Sequence, residues 1–397
     1  MNEITPRSRR FAVSAFFFTH GLFFSSWASR IPNIQQYFHL SDASLGSVLF
    51  SMPIGSFITL PFAGWLITKY GSRNMVLIAS LVYCCMLTGI GYASTVAQLV
   101  ICLFFFGCSG NLMNVAFNTQ GIGVEKLFSR PIISSFHGIW SLAALVGASV
   151  GSWLMARGVS VSAHFLSIAL AGTCTIIFCT RFLLPHDTNQ ERKKILFSKP
   201  EKSILNFGMI AFCSMMCQGA MFDWSGVYFK KVLQLDPAWV GSGYTAYMIS
   251  MTTSRFFADW AVHRLGLKKI LTWSGILTAT GLLLAVGFPF FAPSIVGFVI
   301  VGVGVSAVVP LLYSAVGKSK TVSPATAIAS LSTLGFIGLL IGPPLVGYVA
   351  GATGLRISFL VLAVIGFTVS VIAQRIRYYE PSATLKTGEI AAAEPMA

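Results

Sequence analysis

Three asparagine residues spaced along one apolar stretch are the first side chains in the sequence that could do chemistry. Asn111, Asn114 and Asn118 fall at positions i, i+3 and i+7, so a helix places them on one face. An amide in an apolar environment costs free energy unless it finds hydrogen-bond partners, and it can both donate and accept. The stripe therefore predicts a polar cavity for a hydroxylated solute, with Asn111 and Asn114 in the binding role. Hydrogen bonding between neighbouring helices is the alternative.

A histidine with two aromatic residues forms the second group. His20 is followed at i+4 and i+7 by Phe24 and Trp27. A polar head beside aromatic rings is typical of a sugar or polyol site, so all three are candidate substrate-binding residues. Because histidine titrates near neutral pH, His20 is also a candidate proton carrier. The alternative is a neutral histidine that is hydrogen-bonded and packed among apolar rings.

The same combination recurs further along the chain. His137 precedes Trp140 in another apolar stretch, and Gln218 lies near the middle of a third. Polar and ionisable groups inside such stretches are rare and usually functional, so His137, Trp140 and Gln218 are candidate substrate-binding residues. The alternative for His137 is a structural tie to the preceding helix or to Glu125.

Charged residues inside the apolar stretches are candidates for gating or proton coupling. Asp223 is expected to pair with Arg30 when one gate is shut and to release it on protonation, while a static interfacial pair is the alternative. Arg255 and Asp259 stand at i and i+4, where they can neutralise each other and act at the opposite gate. Tyr247, on the same predicted helix face as Arg255, is a further candidate for substrate binding.

The elements that position these residues must lie in a lipid bilayer. Of the 397 residues, 55% are hydrophobic and only 10% are charged, a composition that excludes a soluble domain of this size. The net charge of +15 does not indicate nucleic-acid binding, because Lys and Arg occur in short clusters between long apolar stretches. The eight cysteines fall inside those stretches without the neighbours of a metal site, so no disulfide, metal or other cofactor is expected.

Twelve apolar stretches are long enough to cross a bilayer. They run from about 11 to 30, 43 to 67, 75 to 93, 97 to 122, 132 to 156, 163 to 184, 203 to 228, 239 to 262, 269 to 288, 293 to 316, 326 to 351 and 355 to 376. Of the 27 Lys and Arg residues, Arg255 lies inside a span and only five fall in the loops on one side, namely Arg30, Arg157, Lys230, Lys231 and Arg356. The positive-inside rule therefore places both termini in the cytoplasm.

A repeated sequence motif indicates that the chain consists of two related halves. LSDASLG at 40 to 46 matches LDPAWVG at 235 to 241, and the same offset of 195 residues lays KYGSR at 69 to 73 on RLGLK at 264 to 268. Two matches at one offset predict a duplicated six-helix unit, and hence an all-α integral membrane fold of two pseudo-symmetric bundles. The predicted parts are a first bundle at 1–184, a cytoplasmic linker at 185–202, a second bundle at 203–378 and a cytoplasmic tail at 379–397.

The loop after the second predicted helix carries a resemblance to a known family. GWLITKYGSR, at 64 to 73, resembles the signature of the major facilitator superfamily, although Thr68 stands where the family usually has an acid. In the second half the acid, Asp259, lies four residues before the family's position. The stretches WASRIPNI, NVAFNTQGIGVE, RPIISSFHGIWSL and SRFFAD resemble the MosC/YbjJ-like group of that superfamily.

The resemblance implies a transporter that works by alternating access, with polyols and aminated sugars as its substrate class by analogy. The aspartate common in the group is replaced by Asn114, which removes one candidate proton carrier. We therefore expect a proton-coupled, monomeric secondary transporter of the inner membrane that moves a small polar solute, such as a polyol, sugar or amine derivative. The alternatives are an exporter of amphipathic compounds by proton antiport and a membrane sensor that does not transport. No nucleophile with a base and no paired carboxylates can be assembled, so an enzyme is not expected.

Overall fold

The computed structural model describes residues 4–128, 132–187, 202–316 and 324–376, and within these ranges all regular structure is α-helical. Most of the predicted linker, the predicted tail at 379–397 and the side chain of Asp259 lie outside this description. The helices are α1 (Pro6–Tyr37), α2 (Asp42–Tyr70), α3 (Ser72–Tyr92), α4 (Val96–Glu125), α5 (Ile133–Ala156), α6 (Val161–Thr180), α7 (Lys202–Lys231), α8 (Pro237–Val240), α9 (Ser242–Leu265), α10 (Leu267–Gly287), α11 (Phe291–Ser306), α12 (Val308–Val316), α13 (Pro324–Thr353) and α14 (Leu355–Arg375).

Eleven stretches in the described part of the chain are long and apolar enough to cross a membrane. One of them, Phe291–Val316, comprises α11 and α12, between which the helix is interrupted at Ala307. The twelfth predicted span is α9, which has 24 residues but is less apolar because it carries Arg255 and several serine and threonine residues. The all-α, twelve-helix membrane fold expected from the sequence is thus confirmed.

The helices pack in corresponding pairs in the two halves of the chain. In the first half α1 packs on α5, α2 and α3 pack on α4, and α3 packs on α6. In the second half α7 packs on α13, α9 and α10 pack on α11, and α10 packs on α14. Arg9 and Leu183 meet at one end of the bundle, which we name the proximal end. Pro32 and Lys230 meet toward the other end, which we name the distal end.

The second long helix of each half ends at an equivalent glycine. Gly71 and Gly266, 195 residues apart, both have φ of 81°. Each donates its N–H to a carbonyl four residues back, at Ile67 and Val262, and the next helix begins at the following residue. Residues with a side chain rarely adopt positive φ, so glycine is required at both turns. The two loops that match in the sequence therefore share one backbone conformation.

α1 is longer than its predicted range of 11 to 30. It continues through Pro32 to Tyr37, so Arg30 is not a loop residue but lies inside the helix with 1% of its surface exposed. Lys230 and Lys231, also predicted in a loop, form the last turn of α7. The prediction was wrong at these ends because hydropathy marks the apolar length of a helix, whereas contact between α1 and α7 extends both helices beyond it.

Asp187 supplies an acid near the turn where the family signature lacks one. Its Oδ2 accepts the Ser72 backbone N–H at 2.8 Å at the start of α3, and its Oδ1 accepts the Ser72 hydroxyl. Gln120 of α4 donates to the same hydroxyl at 2.6 Å and exchanges two hydrogen bonds with Leu184. Thr68 bonds a carbonyl of its own helix. A carboxylate from the chain after α6 therefore stabilises the start of α3.

Replacement of Asp187 by alanine removes this cap. We expect the apparent unfolding temperature of the detergent-purified protein to fall, because a capping side chain contributes about 0.5–2 kcal/mol. Asp236→Ala is the matched control, since Asp236 precedes α8 without forming a side-chain capping bond. Equal unfolding temperatures for the two variants would contradict the role assigned to Asp187.

Candidate substrate cavity

Close backbone packing joins the two halves at the distal end. A Cβ atom at Gly46 of α2 would lie 3.0 Å from the Cα atom of Gly347 of α13. One residue further along each helix, the hydroxyls of Ser47 and Tyr348 lie 2.9 Å apart. Small residues allow two helices to approach this closely. The contact between α2 and α13 therefore closes the distal end of the bundle.

Polar contacts accompany this closure. Lys231 Nζ lies 2.5 Å from Asp42 Oδ1, the only ion pair among the side chains that the structure describes. The neighbouring Lys230 donates to the Pro32 carbonyl at 3.2 Å and to Gln36 Oε1 at 2.5 Å. Each of these bonds connects the end of α7 in the second half to the end of α1 or the start of α2 in the first.

Toward the proximal end, the contact described between the halves is that of α5 with α9. Arg255 Nη1 donates to Ser141 Oγ at 3.1 Å, and the Phe256 ring lies beside Gly138. The other helix pairs that join the halves extensively are α1 with α7, α2 with α13, and α5 with α8. Among the described residues, the close backbone contact and the ion pair between the halves lie toward the distal end.

The asparagines of α4 differ in their surroundings. Asn111 is 7% exposed, and its amide nitrogen has no hydrogen-bond partner among the described residues. Asn118 donates to the Asn114 carbonyl at 2.8 Å and to Asn114 Oδ1 at 3.0 Å, which ties these two residues together within α4. In the described part of the chain none of the three amides bonds to another helix, which disfavours the interhelical alternative. Asn111 therefore retains an unpartnered donor, which is itself buried in this conformation.

His20, on α1, contacts three other helices of the first half. Its Nδ1 accepts the indole N–H of Trp140 at 2.8 Å. Because an indole only donates, Nε2 carries the histidine proton and donates to the Gly110 carbonyl at 3.2 Å. The ring also stacks on Tyr83, with centroids 5.2 Å apart. Both ring nitrogens of the neutral histidine are thus hydrogen-bonded. This favours the alternative in which His20 is a neutral, packed residue, and Trp140 lies beside it.

The side chains of Phe24 and Trp27 lie in different surroundings. Phe24 is half-buried and packs edge-on against Phe222 of α7, with ring centroids 5.3 Å apart. Trp27 is 1% exposed and belongs to the hydrophobic core. Phe24 can therefore contact a solute between the halves. The structure does not place Trp27 in the cavity, because its ring has almost no open surface.

His137 lies near the proximal end. It is exposed and packs edge-on against Phe17 of α1, with ring centroids 5.2 Å apart. The alternative tie to Glu125 does not form, because the Glu125 carboxylate accepts the N–H groups of Ile132 and Ile133 at 2.7 and 3.0 Å. His137 is therefore available to a solute that enters from the proximal side.

Gln218 and Tyr247 are buried between α7 and α9. Gln218 is 9% exposed and donates to the Met251 sulfur at 3.4 Å. Tyr247 is fully buried, and its ring packs edge-on against Phe222 with centroids 5.9 Å apart. Because Phe222 contacts both Phe24 and Tyr247, an aromatic cluster crosses the interface between the halves. Both predicted residues contact partners within the second half, and Tyr247 has no surface open to a solute in this conformation.

The predicted pair between Asp223 and Arg30 is not formed, although the distal end is closed. Arg30 donates from Nε to His164 Nδ1 of α6 at 3.1 Å, whereas Asp223 interacts electrostatically with Tyr244 of α9. The rotation of α1 is the reason. Pro32 faces α7, and residue 30 lies about 200° away around the same helix. Arg30 therefore points into the first half, away from Asp223.

Asp223 lies near a hydrogen bond that crosses the interface. The hydroxyl of Tyr244, with which Asp223 interacts electrostatically, donates to Ser25 Oγ of α1 at 3.3 Å, and Ser25 donates to the Ala144 carbonyl at 2.5 Å. Asp223 itself is 7% exposed. Arg255, besides bonding Ser141, donates from Nε to a carbonyl of α11 at 3.3 Å. Its pairing with Asp259 involves a side chain outside the described set and stays a prediction.

His164, Tyr83 and the ion pair between Lys231 and Asp42 were not predicted from the sequence. His164 is an ionisable residue inside a predicted span, so the criterion that selected His20 could have found it. The other three residues have no sequence signal of their own, because only the packing of distant helices brings them to their partners.

Exchange of the charges in the ion pair tests the distal closure. Asp42→Lys places two ammonium groups together and is expected to open the distal end, whereas Asp42→Lys combined with Lys231→Asp restores the pair. Because the Lys231 side chain is 41% exposed, the effect should be about 1 kcal/mol or less, a change of roughly two- to five-fold in distal labelling. A reporter cysteine at Ser47, with the exposed native Cys85 and Cys174 replaced by serine, measures it. Equal labelling of the single and double variants would argue against a role of the ion pair in the distal closure.

A double-mutant cycle tests the tie between His20 and Trp140. We expect His20→Phe and Trp140→Phe each to lower stability by about 1–3 kcal/mol, because each leaves a buried polar group without its partner. The double variant should lose less than the sum of the two effects, since it removes both partners. The apparent unfolding temperatures of the four proteins provide the measurement. Additive losses would mean that the two side chains do not depend on each other.

Comparison with known proteins places this architecture in a family. The family model for the Major Facilitator Superfamily matches residues 12–320 and 233–394. An uncharacterized MFS-type transporter of Yersinia pestis is 32% identical over 375 residues, which cover 93% of this chain and 96% of that protein. The membrane protein MosC of Rhizobium meliloti is 28% identical over 363 residues, covering 90% and 88% respectively.

Solved structures share the fold. The nucleoside transporter NupG superposes with a TM-score of 0.73 at 15% identity, covering 96% of this chain and all of that one. A variant of the E. coli fucose:proton symporter FucP superposes with a TM-score of 0.60 at 16% identity, covering 92% and 97%. These proteins are transporters and not enzymes. This chain is accordingly a multi-pass membrane protein with the fold of a secondary transporter, and it belongs to the Major Facilitator Superfamily.

Proposed function

We propose that the protein is a secondary active transporter that moves a small hydroxylated solute, such as a polyol, sugar or amine derivative, by alternating access. The observation that carries this proposal is the buried amide nitrogen of Asn111, which lacks a partner among the described residues. It belongs to the predicted cavity stripe of a bundle whose halves pack closely at the distal end. A solute hydroxyl accepts the hydrogen bond that the protein leaves unmade, and the aromatic ring of Phe24 offers it an apolar platform.

Two structural neighbours support this substrate class. NupG is described as a nucleoside transporter and FucP as a fucose:proton symporter. Nucleosides and fucose both carry hydroxyl groups on a ring, which amide side chains bind through paired donors and acceptors. The name of MosC does not specify a substrate.

The membrane orientation follows from the distribution of charge. Lys and Arg are concentrated in the segments at the proximal end, so we assign that end to the cytoplasm and the distal end to the outer side of the inner membrane. Both termini are then cytoplasmic. Transport requires the contacts of Lys231 with Asp42 and of Ser47 with Tyr348 to separate while the proximal end closes.

Proton coupling is assigned to Asp223. It is buried, and in the described part of the chain no cation pairs with it. A buried carboxylate without a cation is stabilised by binding a proton. When Asp223 loses that proton, its oxygens compete with Ser25 for the Tyr244 hydroxyl, because an ionised carboxylate is the stronger acceptor. Deprotonation thereby weakens one contact between the halves and favours opening of the distal end.

Ligand-dependent stabilisation tests the cavity. The detergent-purified protein is heated with polyols, aminated sugars, amino acids or lipophilic cations, at mildly acid and neutral pH. We expect one hydroxylated class to raise the apparent unfolding temperature by a few degrees, because a ligand that binds the folded state stabilises it. Asn111→Ala should abolish the shift. Thr119→Ala is the matched control on α4, since the Thr119 hydroxyl bonds its own helix at 2.9 Å, and it should keep the shift.

Other outcomes distinguish the alternatives. A shift only with lipophilic cations would contradict the proposal and favour an exporter of amphipathic compounds. Binding without solute uptake into proteoliposomes would favour a sensor. Uptake whose pH dependence is the same in the wild type and in Asp223→Asn would refute the coupling role of Asp223 and leave the cavity assignment standing.

A further inference from the structure

A cleft lies at the distal end, inside the first half. It encloses about 580 Å³ between the end of α1, the turn joining α3 to α4, and the turn joining α5 to α6. The residues that matter for its chemistry are Arg30, Asn33, Tyr37, Tyr92, Ser160 and Ser162. All of its lining residues belong to the first half.

Arg30 lies in the wall of this cleft without a counter-charge among the described side chains. It lines the cleft although only 1% of its surface is exposed, and its Nη2 has no hydrogen-bond partner among the described residues. Its Nε donates to His164 Nδ1 at 3.1 Å, and a nitrogen that accepts this bond carries no proton, so His164 is a neutral partner. No carboxylate among the described side chains forms an ion pair with Arg30. A buried guanidinium in these surroundings is strongly unfavourable unless an anion joins it.

The first turn of α6 adds donors to the same cleft. Ser160 caps this helix by accepting the N–H of Ala163 at 3.2 Å, and Val161 and Ser162, which follow the cap, line the cleft. The N–H groups of a first helical turn have no partner within the helix and carry partial positive charge, so they bind anions. Asn33, three residues after Arg30 on α1, also lines the cleft.

We propose that this cleft binds an oxyanion of the phosphate class, held by the Arg30 guanidinium and the first turn of α6. A planar guanidinium donates two parallel hydrogen bonds to phosphate oxygens, and helix N–H groups can bind a remaining oxygen. Such an anion comes either from a lipid headgroup or from free phosphate. Tyr37 and Tyr92 at the rim are 66% and 61% exposed, as is common for tyrosines at the headgroup level of a bilayer.

Thermal unfolding of the full-length, detergent-purified protein tests the site. One arm compares inorganic phosphate with chloride at equal ionic strength, and the other compares micelles containing phosphatidylglycerol with micelles containing a neutral glycolipid. We expect phosphate or phosphatidylglycerol to raise the apparent unfolding temperature by a few degrees. Arg30→Met should abolish that rise. A response to phosphate identifies a free oxyanion, and a response only to phosphatidylglycerol identifies the headgroup. No response in either arm, or a response that survives in Arg30→Met, would overturn the proposal.

A second variant keeps the test decisive if Arg30→Met fails to fold. Ser162→Asp places a carboxylate of the protein itself in the cleft, so it should raise the unfolding temperature and remove the response to the added anion. Ala97→Asp is the matched control, because Ala97 is likewise the second residue of its helix, after the capping Thr95, but lies outside the cleft. It should keep the wild-type response. An undiminished anion response in Ser162→Asp would also overturn the proposal.

Discussion

Lipid offers no hydrogen bonds, so the polar groups inside this bundle depend on partners within the protein. The side chains of His20 and Ser25 form hydrogen bonds with groups on other helices. The Asp187 carboxylate accepts a backbone N–H group where α3 begins. Some buried polar atoms of the described residues remain unpartnered, among them one nitrogen each of Asn111 and Arg30. The first belongs to the stripe that predicts the central cavity, and the second lines the distal cleft. In both places a ligand can complete the hydrogen bonding that the protein leaves open.

The distal closure combines specific contact with modest strength, which a transport cycle requires. The backbones of α2 and α13 come into close contact at Gly46 and Gly347. The accompanying ion pair between Lys231 and Asp42 is partly exposed, and such pairs contribute little net free energy. The ion pair by itself is too weak to fix one conformation. The halves can therefore separate distally when a solute or a proton changes the balance by a few kcal/mol.

Sequence patterns predicted the fold well because they report on the bilayer, whereas several site contacts depend on helix rotation. Apolar length located the spans, and the matched loops anticipated the shared conformation of Gly71 and Gly266. The stripe of asparagines also predicted their common helix. The pairing of Asp223 with Arg30 failed because spacing along a helix does not reveal which neighbour each face meets. The burial of Trp27 was missed for the same reason, since only the packing around α1 decides it.

Simultaneous distance measurements at both ends of the bundle test alternating access around the central site most directly. Spin labels at Thr95 and Phe290 span the distal end, and labels at Leu127 and Leu265 span the proximal end; all four positions are exposed. A solute that stabilises the wild-type protein, but not Asn111→Ala, should lengthen the distal distance and shorten the proximal distance in a fraction of the molecules. Distances that stay unchanged at saturating solute, or that lengthen together at both ends, would contradict the account.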